Sequence, residues 1–145
     1  QPVGRAADAP GPGGHLGHGL LARGVEHGEA RASHVARRLQ KNVRDSDTVA
    51  RLGGDEFVVL ATDLPDPSLA QTVVTRLVES LRAPMELGGR ERTVTTSIGI
   101  AVFPADGDSV DGLLASADKA LYLVKERGRD GHAYHREVAE GRGAD

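Results

Sequence analysis

The most constraining stretch of this chain is Arg51-Leu52-Gly53-Gly54-Asp55-Glu56-Phe57-Val58-Val59-Leu60. One apolar arm, Thr48 to Leu52, ends at two glycines. Two acids follow, and a second arm runs from Phe57 to Ala61. Gly-Gly between strand-like arms predicts a hairpin, because glycine reaches positive φ without a Cβ clash. Asp55 and Glu56 then sit at an exposed tip. Adjacent carboxylates on a tight turn repel unless a cation or a donor offsets their charge. A hard divalent ion such as Mg²⁺ takes oxygen ligands and keeps phosphates as co-ligands. The residues alone leave two readings open: a turn holding a metal and a phosphorylated ligand, or a solvated hairpin with two surface acids.

The chain around this hairpin has 145 residues, enough for one domain with a core. A net charge of −3 gives no electrostatic case for nucleic acid or anionic membrane as the main partner. There are no cysteines, so disulfides and thiolate metal sites are excluded. No apolar run approaches the ~20 residues needed to cross a bilayer, and the N-terminus lacks a signal-peptide core. The expectation is a cytoplasmic domain, or a fragment of a larger cytoplasmic protein, which a first residue of Gln1 fits.

Glycine and proline dominate residues 1–23, where no period of 2 or 3.6 persists, and this predicts a disordered or poorly packed segment. His15, His18, His27 and His34 are irregularly spaced and share no acid or cysteine framework, so they read as incidental. Val35, Ala36, Leu39 and Val43 form a stripe that predicts a helix over 29–43. Leu69, Val73, Val74, Leu77, Val78 and Leu81 predict a second helix, started near Pro67 and ended by Pro84. Met85 to Leu87, Gly88-Gly89 and Glu91 to Phe103 predict a second hairpin with a long return arm. On that arm Val94, Thr96, Ile98, Ile100 and Val102 alternate with Thr95, Ser97, Gly99 and Ala101, and the small face lets a helix pack closely. Leu113, Leu114, Ala117, Ala120, Leu121 and Val124 predict a third helix over 110–127, with Gly128 as its cap. A short strand near His132 to His135 and a polar tail complete an α/β domain around a mostly antiparallel sheet flanked by helices.

Three further segments join the hairpin: Thr96-Ser97-Ile98-Gly99-Ile100-Ala101, Ala117-Asp118-Lys119-Ala120-Leu121-Tyr122-Leu123-Val124-Lys125 and Gly128-Arg129-Asp130-Gly131. With Gly53-Gly54-Asp55-Glu56-Phe57 they resemble the GGDEF family, the diguanylate cyclases, over residues 35–135. The resemblance implies a palm-like nucleotidyl-cyclase fold and a homodimer that condenses two GTP into cyclic di-GMP with release of pyrophosphate. Gly53 and Gly54 would lie against GTP. Asp55 and Glu56 would ligate Mg²⁺ (or Mn²⁺) and help activate the attacking 3′-hydroxyl. Lys125 and Arg129 would hold the triphosphate; on their own they also read as solvated cations favoured by a helix dipole. Arg44 and Asp47, with five residues between Asp47 and Gly53, match the family's Arg-x-x-Asp product-inhibition site. An ordinary i,i+3 surface ion pair, worth under ~1 kcal/mol, is the other reading.

The resemblance breaks down upstream. The family's first strand carries Asp-x-Asp-x-Phe-Lys, followed by an Asn-Asp pair and a Gly-His-x-x-Gly-Asp turn. Laid on Gly24-Val25-Glu26-His27-Gly28-Glu29, that turn puts the metal aspartates near Pro12 and Gly14, and the Asn-Asp pair near Leu20 and Leu21. The expectations that follow are no first strand in residues 1–23, a missing metal ligand, exposed sheet edges and little or no cyclase activity. A divergent, truncated or frame-disrupted domain would each give this pattern. The expected organisation is a degenerate segment 1–28, an incomplete GGDEF domain 29–136 and a polar tail 137–145. A non-catalytic cyclic di-GMP receptor acting through Arg44 and Asp47, and a fragment that folds only on a partner, are the competing readings.

Overall fold

The computed structural model describes residues 18–27, 32–53, 55–66, 68–93 and 95–142. The elements are β1 (His18–His27), α1 (Ala32–Lys41), β2 (Thr48–Gly53), β3 (Glu56–Leu64), α2 (Ser68–Arg82), β4 (Met85–Leu87), β5 (Arg90–Arg92), β6 (Thr95–Phe103), α3 (Val110–Glu126), β7 (Gly131–Tyr134) and α4 (Arg136–Arg142). Five strands form one sheet in the order β2-β3-β1-β6-β7, and β4 pairs with β5 apart from it. All pairings are antiparallel except β6 with β7. No helix among the described residues is long and apolar enough to cross a membrane.

The sheet buries both faces. Leu20, Ala22, Phe57, Val59, Ile98 and Ile100 point to the side covered by α1 and α2, where Val35, Leu39, Val74, Leu77 and Leu81 meet them. Leu21, Val58 and Ala101 point the other way, against Leu113 and Ala117 of α3. This is the period-2 alternation of strands read against the 3.6 period of helices. In α2 the buried residues Ala70, Val74, Leu77 and Leu81 form one stripe. At the start of α3, Ser109 Oγ accepts the Gly112 amide at 3.0 Å.

The small face of β6 does what its composition predicts. A Cβ on Gly99 would stand 2.0 Å from the Ala117 carbonyl oxygen and 2.4 Å from the Leu121 nitrogen, so α3 rests directly on the strand backbone.

Three expectations are corrected. Residues 18–23 are not strandless: β1 is the centre of the sheet, with Leu20 and Leu21 at 0% and 1% exposure. Its Gly24 is required, since a Cβ there would sit 2.3 Å from Cζ of the Phe57 ring. Gly24 to His27 therefore belong to a strand and not to a family-like turn; Gly28, Glu29, Pro12 and Gly14 lie outside the described residues. The second hairpin closes on the short β5, and β6 is a separate strand of the main sheet. The end of the chain is not simply a tail: α4 covers 136–142, and Glu137 Oε2 accepts the Tyr134 amide at 2.6 Å. Pro67, Val94 and His15, named in the sequence analysis, also lie outside the described residues.

Candidate functional site

The hairpin forms where two glycines were expected to turn the chain. Gly53 has φ +148 and pairs with Glu56 across the end of β2 and β3; Gly54 lies outside the described residues. Asp55 is exposed at the tip and Glu56, the first residue of β3, is half-buried.

β1 decides what Glu56 meets. Val25 stands opposite Glu56, and Arg23 stands two residues along on the same face. Arg23 Nε donates to Glu56 Oε1. Arg23 Nη1 also lies 3.9 Å from Asp118 Oδ1 on α3. The side chains of Arg23 and Glu56 are 23% and 26% exposed, so this charge-assisted contact is shielded from much of the solvent. Arg23 ties β1, β3 and α3 together at the hairpin.

Lys125 and Arg129 sit at the far end of α3, and both are exposed. The helix closes with Gly128 N–H to Lys125 O at 3.3 Å and Arg129 N–H to Val124 O at 2.9 Å, with Gly128 at φ +104. Arg129 and Asp130 follow in the left-handed region, at φ 67 and 51. Asp118, Tyr122 and Lys125 fall at i, i+4 and i+7, so Lys125 continues the helix stripe that begins beside Arg23.

Arg44 and Asp47 come together directly. Asp47 Oδ2 accepts the Arg44 amide at 2.9 Å, and Arg44 Nη2 meets Asp47 Oδ1 at 3.0 Å. Arg44 Nη2 also donates to the Thr62 carbonyl on β3. Asp47 is 3% exposed and Arg44 47%. The pair closes the turn that leads into β2, with about half of the Arg44 side chain exposed.

The donor set can be tested against Mg²⁺ or Mn²⁺. Hard divalent ions need several oxygen ligands, commonly with more than one carboxylate. The hairpin offers the exposed Asp55 and a Glu56 already held by a guanidinium. Val25 faces Glu56 where another acid could stand, and no cluster of three or more His, Asp or Glu that could hold a metal occurs among the described residues. Among the described residues, Asp55 and Glu56 are therefore not joined by a third His, Asp or Glu that could complete a divalent-ion site.

Sequence reasoning missed Arg23 and the role of Asp118. The signal for Arg23 was available in principle: it lies two residues after Leu21, on the same strand face, but only once residues 18–27 are known to be a strand.

The family model described as "Diguanylate cyclase, GGDEF domain" matches residues 22–131. The chain belongs to the GGDEF family. It is 40% identical over 113 residues to the bifunctional diguanylate cyclase/cyclic di-GMP phosphodiesterase MucR of Pseudomonas aeruginosa, covering 78% of this chain and 16% of that protein. It is 41% identical over 98 residues to the diguanylate cyclase TpbB of the same species, covering 66% of this chain and 22% of that protein. Among solved structures, the GGDEF domain of TpbB (YfiN) superimposes with a TM-score of 0.72 at 28% identity, covering 83% of each chain. A sensory box/GGDEF protein from Caulobacter crescentus does so with a TM-score of 0.68 at 35% identity, covering 76% of this chain and 80% of that one. The chain spans less than a quarter of the length of these two curated relatives.

Proposed function

We propose that this GGDEF domain is a guanine-nucleotide module of cyclic di-GMP signalling, of diguanylate cyclase type, with little or no cyclase turnover of its own. The observation that carries the reading is the Arg23 guanidinium on Glu56. Joining two GTP molecules depends on positioning and on neutralising the charge of the reacting phosphates. An acid engaged by arginine is withdrawn from that task, and Val25 adds no replacement. The phosphate-binding half of the site keeps its chemistry: Gly53 leaves the backbone open to a ligand, while Lys125 and Arg129 offer a point charge and a planar fork. Each domain would hold one GTP, so turnover would need a homodimer with two hairpins facing each other.

The test is incubation of the purified chain with GTP and Mg²⁺, followed by chromatography for cyclic di-GMP. Trace product or none is expected. Product that disappears on Asp55→Ala with Glu56→Ala would overturn the low-turnover reading.

A second reading, a cyclic di-GMP receptor, draws on the Arg44–Asp47 pair, which is already assembled with the Arg44 side chain half exposed. Calorimetric titration with cyclic di-GMP tests it. Saturable binding abolished by Arg44→Ala supports a receptor, and heat independent of that substitution argues against it.

A further inference from the structure

We propose that Arg23 replaces the divalent cation of this hairpin: a guanidinium, not Mg²⁺ or Mn²⁺, neutralises Glu56. The proposal concerns the site described above and rests on the cyclase-type reading only for the class of ion displaced. The geometry comes from the strand register. Val25 opposes Glu56, which brings Arg23 onto the same face, next to Val58 and within reach of the acid. Nε donates to Glu56 Oε1 while Nη1 faces Asp118 Oδ1 at 3.9 Å, so one cation lies between carboxylates from β3 and α3.

A divalent ion arriving at Glu56 would have to break a charge-assisted hydrogen bond. It would then stand beside the displaced guanidinium, a like charge in a setting where both side chains are about three-quarters buried. The ion pair also serves the fold, because it links the central strand to the hairpin and to α3. A dissociable metal cannot hold those elements in the apo protein; a covalently attached cation does.

The experiment is titration of the whole chain with Mn²⁺, read by electron paramagnetic resonance of the free ion, with no nucleotide present. Failure of the cyclase reading therefore leaves the readout untouched. The wild type should show no saturable site that depends on Glu56, so Glu56→Gln should leave its titration unchanged. Arg23→Asp supplies a carboxylate in place of the cation and should tighten Mn²⁺ binding by about ten- to a hundredfold, a gain that Glu56→Gln in the same chain removes. Circular dichroism and thermal melts verify that each variant is folded. Saturable wild-type binding abolished by Glu56→Gln would overturn the proposal, as would a folded Arg23→Asp protein that gains no binding. If Arg23→Asp does not fold, the wild-type and Glu56→Gln titrations decide by themselves.

Discussion

Gly99 of β6 lies directly beneath Ala117 of α3, so close that a methyl group on Gly99 would fall 2.0 Å from the Ala117 carbonyl oxygen. The contact is strand backbone against helix backbone, and neither can swing aside as a side chain would. Gly99→Ala should lift α3 from the sheet and cost at least about 1–3 kcal/mol, the usual cost of overpacking. Thermal melts of the two proteins check this. An unchanged midpoint would show that α3 does not rest on the strand as described.

Arg38 secures the opposite layer. From α1 its guanidinium reaches the end of α2 and donates to the carbonyls of Ser80, at 2.8 Å, and of Ala83. Carbonyls at a helix C-terminus lack intrahelical donors, and a cation there also suits the helix dipole. Arg38→Ala should cost about 1–2 kcal/mol in urea unfolding, and Arg38→Lys should recover part of it.

Tyr134 is buried on β7, with its hydroxyl lacking a hydrogen-bond partner among the described residues and the Arg136 guanidinium 4.4 Å from its ring centroid. Burial raises its pKa above 10.0, opposed by Arg136 and reinforced by Glu137. The sign follows from proton binding. Above pH 10 the unfolded chain loses the phenolic proton while the folded chain keeps it, so stability falls as pH rises through the folded pKa. Tyr134→Phe should make the alkaline limb shallower and, by removing an unsatisfied hydroxyl, stabilise the protein by up to about 1 kcal/mol at neutral pH. Denaturant titrations at neutral and alkaline pH would measure both effects.

β1 should behave as the core of the sheet. Leu21 is 1% exposed and packs with Val58, Ala101, Leu113 and Ala117. Leu21→Ala should cost about 2–5 kcal/mol. In hydrogen exchange the amides of residues 20–24 should be among the slowest, since β3 and β6 pair with both edges of the strand. Fast exchange there would return β1 to the status that its sequence suggested.

What the sequence determined by itself was local. The Gly-Gly turn, the apolar stripes of α2 and α3, the small face of β6 and the glycine after α3 each follow from periodicity or from a conformational rule that neighbouring residues satisfy together. The family motif was equally legible because its residues are contiguous. β1 was not legible: its apolar signal is only Leu20-Leu21-Ala22, interrupted by Arg23 and bounded by glycines. A central strand completes its hydrogen bonds on both edges, so its partners and not its own propensity hold it extended. Gly24, laid on the family's turn from the sequence, proved to be the space for the Phe57 ring. Tertiary structure alone decided the state of the candidate site, because Arg23 and Glu56 are 33 residues apart and share a charge contact only after β1 pairs with β3. Pairing register converts distant charges into neighbours, and no local pattern records it.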